Sequence, residues 1–170
     1  MRRFVIGAVA AVVAAIGLGG GQRAQAQTKD EQEIRAVLDR FTAAFSAKDV
    51  DAIMKSYAPG DELFVFDLIP PRDYKGWDAY RKDWQAFVAG MPGPIKVNIS
   101  EVGIKADGTI GYSHSIQHGT WTNPDGSPGE ITVRVTDVFR KIDGKWLIVQ
   151  EHVSVPVDMT TGKPDMLSKE

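Results

Sequence analysis

From Ile95 to about Val155 the chain alternates apolar and polar residues with a period of two, broken by Asp107-Gly108, Asn123-Pro124-Asp125-Gly126 and Asp143-Gly144. Period-two alternation puts successive side chains on opposite faces of a strand, and Asp-Gly between such runs is a strong hairpin signal. The pattern predicts strands over 95–105, 109–121, 131–141 and 145–155, joined as an antiparallel meander. A meander with one apolar face needs a second layer to bury that face.

The residues before Ile95 supply that layer. Ile34, Val37, Leu38, Phe41 and Phe45 share one face at helical spacing, with Asp30, Glu31 and Glu33 in the first turn, where the helix dipole favours acids. Asp49 is placed to cap a second, short helix through Ile53, Met54 and Tyr57, which Pro59-Gly60 ends. Residues 62–69 read as a strand stopped by Pro70-Pro71. After Gly76 the helical period returns through Trp77, Tyr80, Trp84, Phe87 and Val88. Helices first and an antiparallel sheet behind define an α+β fold, and one helical layer over a curved sheet leaves a concavity between them.

Ahead of this domain stand Arg2-Arg3, the apolar and glycine run Phe4 to Gly19, and a small-x-small site at Ala24 and Ala26. That order is a secretory signal peptide; the apolar run is shorter than the roughly 20 residues a membrane span needs. The expectation is a leader over 1–26, a domain over 27–157, a loose polar tail over 158–170, and a periplasmic or secreted product without stable membrane anchoring. With the leader go three arginines and no acid, leaving 17 Lys+Arg against 22 Asp+Glu, a net charge near −5. Such a surface argues against nucleic acid as a partner. The absence of cysteine excludes disulfides and thiolate metal sites.

Sorting the strands by face singles out polar residues within apolar stripes. Asp137 lies among Val133, Val135 and Phe139; Glu151 among Leu147, Val149, Val153 and Val155; His114 and His118 share parity with Ile110, Tyr112 and Ile116. All three stripes are expected to face the helices. A strict two-residue loop at Asp143-Gly144 would pair odd with even positions, so a three-residue loop, which keeps the stripes of the last two strands together, is expected. A carboxyl on an apolar face is costly unless paired. His114 and Asp137 therefore read as an acid/base or ligand-orienting pair, with a structural hydrogen-bonded pair as the alternative. Tyr57, Tyr80, Trp84, Tyr112, His118 and Glu151 are candidates for the pocket wall. Asp67 sits in an otherwise apolar strand where it could point inward, but the Pro70-Pro71 turn is close enough to leave it solvated. His114 and His118, four apart on a strand, would be about 13 Å apart, too far for one metal ion. No serine elbow, phosphate loop or dinucleotide fingerprint is present, so no cofactor is expected.

The stretch Arg134-Val-Thr-Asp-Val-Phe-Arg-Lys-Ile-Asp-Gly-Lys-Trp146-Leu-Ile-Val-Gln-Glu-His152-Val-Ser154 resembles the C-terminal signature of SnoaL-like domains: Arg-x-Thr, Asp-Gly-x-Trp, His-x-Ser. Asp49-Val50-Asp51, Tyr57-Ala58-Pro59 and Gly76-Trp77-Asp78-Ala79-Tyr80 extend the resemblance into the N-terminal half. These domains belong with ketosteroid isomerase in the nuclear transport factor 2-like superfamily. The resemblance implies a cone-shaped curved antiparallel sheet wrapped by three N-terminal helices around a deep pocket, and a homodimer formed through the sheet. It implies no single activity, since the superfamily hosts enzymes and association domains alike. Two functions fit: a proton-transfer enzyme, isomerase- or dehydratase-like, acting on a small molecule, or a non-catalytic ligand-binding or dimerisation module.

Overall fold

The computed structural model describes residues 27–168; the expected leader over 1–26 lies outside them. Thr28 opens the first helix, α1 (Lys29–Ser46), through a capping box: its hydroxyl accepts from Glu31 N–H (3.2 Å) and its own N–H donates to the Glu31 carboxylate (2.9 Å). Asp49 caps α2 (Val50–Met54) as the sequence predicts, its carboxylate accepting from Ala52 N–H. The third helix, α3 (Trp77–Ala89), is tied to α2 by the Trp77 indole N–H donating to Met54 O. No helix of the described residues is long and apolar enough to cross a membrane.

Two short strands, β1 (Phe64–Phe66) and β2 (Tyr74–Lys75), precede the long ones: β3 (Ile95–Asp107), β4 (Ile110–Thr122), β5 (Pro128–Ile142) and β6 (Lys145–Ser154). They form one six-stranded sheet in the order β2-β1-β6-β5-β4-β3. The meander is antiparallel as predicted, and β1 adds to the free edge of β6 in parallel. The three helices cover one face of the sheet. Ile34, Ile53, Val65, Phe139 and Ile148, all essentially inaccessible, centre the core between the layers. Gly111 on β4 lets α1 sit close, because a Cβ there would lie 2.6 Å from Ile34 Cδ1.

Two bulges shape the sheet. β3 carries an extra residue between Ser100 and Gly103, where Glu101 takes a positive φ of 49°. β6 carries another: Val138 pairs with Gln150 but Phe139 pairs with Ile148, so Val149 is extra. The hairpin between β5 and β6 has a two-residue loop, Asp143 (φ 48°) and Gly144 (φ 75°), as a type I′ turn demands, and not the expected three-residue loop. The bulge does what that loop was expected to do. Trp146 and Ile148 face the helices before it, Glu151 and Val153 after it, so one strand changes parity part-way along.

The segment after β6 is folded, not loose. Asp165 N–H donates to Pro156 O, Asp158 N–H to Lys163 O, and Thr132 N–H on β5 donates to Met166 O at 2.8 Å. The segment thus takes up β5 beyond the end of β6.

Replacing Phe139 by alanine removes the ring at the centre of this packing. Its expected cost is about 3–5 kcal/mol, read as a lower urea midpoint at unchanged slope.

Candidate functional site

Asp137 on β5 and Glu151 on β6 are direct cross-strand partners, both pointing toward the helices. They are 1% and 5% exposed. On the far side of Asp137, Ser113 of β4 donates its hydroxyl to Oδ2 at 2.9 Å, while the Glu151 carboxyl lies within hydrogen-bonding reach on the near side. Glu151 is held by two phenols: Tyr80 of α3 donates to Oε1 (2.8 Å) and Tyr57 to Oε2 (2.9 Å). Tyr57 is fixed by its own backbone, since Ile148 N–H donates to Ser56 O and Ala58 N–H to Ile148 O on either side of it. Tyr80 is the hinge of the group, for its hydroxyl also lies 3.1 Å from Asp67 Oδ2. One hydroxyl proton serves one acceptor fully, so this contact favours a proton on one of the two carboxyls.

The electrostatics agree. Burial pushes Asp137 up to about 6, against the opposing hydrogen bond from Ser113. Burial, then the charge of Asp137, holds Glu151 well above the usual carboxylate range, against the bond from Tyr80. Two carboxyls facing each other in a dry site cannot both ionise freely, so the pair shares a proton near neutral pH. Burial followed by the charge of Glu151 raises both Tyr57 and Tyr80, which keeps the phenols protonated as donors. Asp67 is also raised by burial, partly offset by Leu68 N–H and Tyr80.

Above this floor lies a cavity of about 360 Å³. Its helix wall is aromatic: Phe41 and Phe45 from α1, Trp84 and Phe87 from α3, packed edge to face, with Phe45 and Trp84 centroids 4.9 Å apart. Its sheet wall is aliphatic, with Val97, Val133, Val135 and Val153. Glu151, Tyr80, Asp67, Asp83 and Gln117 bring polar atoms to it, and Met166 of the C-terminal segment closes part of the rim.

Of the residues singled out by sequence, Tyr80, Trp84 and Glu151 line this cavity, while Tyr57 and Asp137 lie beneath it in the hydrogen-bonded floor. Tyr112, His114 and His118 do not join them. Tyr112 is 47% exposed on the outer face of the sheet, His114 lies across Gly103 there, and His118 contacts Thr132 Oγ1 at 3.0 Å. The expected placement of His114 beside Asp137 is therefore corrected: Ser113 pairs with Asp137, and His114 pairs with Thr136 one position over and on the opposite side. The inward face of β4 is Gly111, Ser113, Ser115 and Gln117, small and polar, where alternation by hydrophobicity selects the bulkier outer face. Asp67, expected to be solvated, lines the cavity instead. Asp83, Gln117 and Ser113 were not singled out. Asp83, three residues after Tyr80 on the same helix, had a legible signal; its carboxylate accepts from Tyr74 at 2.6 Å. Among the described residues no group of three or more His, Cys, Asp or Glu is placed to hold a metal ion.

Residues 34–158 match the family model of the SnoaL-like domain, and the chain belongs to that family. Its fold is that of the nuclear transport factor 2-like superfamily. A nuclear transport factor 2-like protein of unknown function from Pseudomonas putida is 28% identical with a TM-score of 0.76, the match covering 85% of this chain and 99% of that one. A superfamily protein from Salmonella enterica serovar Typhimurium is 20% identical, with a TM-score of 0.69 over 78% of this chain and 95% of the other. A ketosteroid isomerase-like protein from Erwinia carotovora is 19% identical, with a TM-score of 0.64 over 75% and 97%. No curated protein matches the chain.

The buried pair gives stability a definite dependence on pH. Both carboxyls have folded-state values raised above those of the unfolded chain; the contribution of Asp137 is complete below about pH 4 and is lost as pH rises through about 6, and that of Glu151 changes in the same direction. Between about pH 4 and 7 the unfolding free energy should fall by an amount on the order of 2–3 kcal/mol on account of Asp137, and Asp137→Asn should flatten that slope in urea titrations.

Proposed function

We propose that this SnoaL-like domain binds a small organic molecule in its cavity and moves a proton on it without a cofactor, as an isomerase- or dehydratase-like enzyme working in the periplasm or outside the cell. The observation that carries the reading is the floor: two buried carboxyls face each other on adjacent strands, and one of them, Glu151, lines the cavity. A general acid or base works best when its pKa lies near the working pH, and burial moves a carboxyl in that direction. Glu151 exchanges a proton with the ligand. Asp137, out of the ligand's reach, keeps the pair at one proton and so holds Glu151 raised. Tyr80 offers its hydroxyl to an oxygen on which charge develops, and the aromatic wall excludes water. The leader-like order of residues 1–26 supports the export part of this reading.

A probe of suitable size is 2-tetralone, a bicyclic ketone whose α-protons exchange with solvent. In deuterium oxide the protein should accelerate α-deuteration, followed by NMR, and Glu151→Gln should lower the rate by a factor on the order of 100 or more. Exchange at the wild-type rate in that variant, or no acceleration by the wild type, would remove the proposal.

The second copy implied by the family resemblance is proposed to sit on the outer face of the sheet, where Ile110 and Tyr112 are about half exposed (50% and 47%). Tyr112→Glu should then convert a dimer to a monomer in sedimentation velocity, with the cavity's ligand binding retained.

A further inference from the structure

Gln117 on β4 is polar, buried and unpartnered. It is 9% exposed, and it lines the cavity from the inward face that it shares with Gly111, Ser113 and Ser115. Tyr80, Glu151, Asp67, Asp83 and the Trp121 indole line the same cavity, and each is hydrogen-bonded within the protein. The Gln117 carboxamide has no such partner among the described residues. Its cross-strand neighbours are Ile99 on β3 and Val133 on β5, and neither side chain can hydrogen-bond. A leucine here would pack among them without burying an unpaired polar group. The amide therefore costs stability unless something in the cavity bonds to it.

The register fixes where Gln117 stands relative to the acid floor. Gln117 pairs with Val133 and Glu151 with Asp137, four residues further along β5, a separation of about 13 Å along the strands. β4 and β6 flank β5 on opposite sides, which adds about 10 Å across the sheet. The two residues thus address the cavity from opposite ends, roughly 16 Å apart at the backbone. Gln117 marks the rim end: Thr132, next to Val133, donates its N–H to the carbonyl of Met166, which closes part of that rim. No lysine, arginine or histidine lines the cavity, so an anionic group at this end would find no counter-charge. A carboxamide both donates and accepts, which suits a hydroxyl or a carbonyl.

We infer that Gln117 is a second anchor for the ligand, and that the cavity takes an elongated, neutral ring compound with a reacting carbonyl at the Glu151 and Tyr80 end and a hydroxyl or second carbonyl at the Gln117 end. The inference rests on the cavity being the ligand site, as proposed above, and adds the class of molecule and the residue that selects it. The hydrocarbon body between the two oxygens lies against the valines of the sheet and the aromatic rings of the helices. A compound with one oxygen only leaves the amide unpaired, and the site discriminates against it on that account.

The test measures binding and not turnover, so it stands apart from the proton-exchange assay. Three probes share one skeleton and one carbonyl: 2-tetralone, 6-hydroxy-2-tetralone and 8-hydroxy-2-tetralone. Only the 6-hydroxyl lies at the end opposite the ketone. Each is titrated into the purified protein by calorimetry. The 6-hydroxy compound should bind about tenfold tighter than 2-tetralone, and the 8-hydroxy compound within about threefold of it. In Gln117→Leu, which removes the amide and keeps most of its volume, the 6-hydroxy advantage should fall to about threefold or less, with 2-tetralone bound at least as well as before. A general loss of packing would weaken the three ligands alike, so the difference between them reads the amide. A 6-hydroxyl that brings no gain in the native protein, an equal gain from the 8-hydroxyl, or a gain that survives in Gln117→Leu overturns the second anchor while leaving the cavity as a site. No binding by any of the three overturns both.

Discussion

A buried carboxyl on a strand needs donors, and the packing above the sheet in this domain is arranged around supplying them to Glu151. One phenol comes from Tyr57, clamped to β6 by two backbone hydrogen bonds; the other comes from Tyr80 on α3. Neither helix position is free to drift, because losing either donor would leave a carboxyl oxygen unpaired in a dry site. The two phenol rings meet edge to face with centroids 5.3 Å apart, so the same contact that feeds the acid also closes the core between α2 and α3. The core packing and the satisfaction of the buried acid thus depend on one set of atoms.

The opposition of Asp137 and Glu151 works against stability, because two facing buried carboxyls cannot both ionise freely. Valine at either position would remove a carboxyl's desolvation cost but strand its buried donors, Ser113 at 137 and the two phenols at 151. The acids persist beside each other on adjacent strands, with Ser113 as the support for the second of them. Perturbed groups of this kind in a concave, apolar setting are what proton-transfer sites require. The gradient across the cavity follows from the same economy of placement: aromatic side chains from the helices on one side, aliphatic ones from the sheet on another, and the acids gathered where α3 approaches β1 and β6.

Much of the architecture was legible in the residues. The helical spacing of Ile34 to Phe45, the Asp49 cap and the alternating runs after Ile95 each appear where local periodicity put them. Asp137 and Glu151 were legible for a simple reason: an acid within a valine stripe violates the pattern that surrounds it. The histidines were not, because β4 carries its large residues outward. Gly111, Ser113 and Ser115 face in so that α1 can approach and the acid can be supported, and such small residues carry no hydrophobic signal. Their parity is readable only through β5, since Ser113 must share a face with its partner Asp137. The bulge at Val149 was hidden for a different reason. Nothing in Leu147-Ile148-Val149-Gln150 marks the extra residue, since both parities there are apolar. Only the two-residue Asp143-Gly144 turn, taken at its stereochemical word, forces a correction further along the strand.

Met166 belongs to the rim of a cavity whose other walls are built from residues between Phe41 and Val153. A chain synthesised from its N-terminus has therefore made its helices, its sheet and both floor acids before it makes the residue that finishes the rim. Removal of the segment after β6 would leave both floor acids in place and open the cavity at Met166.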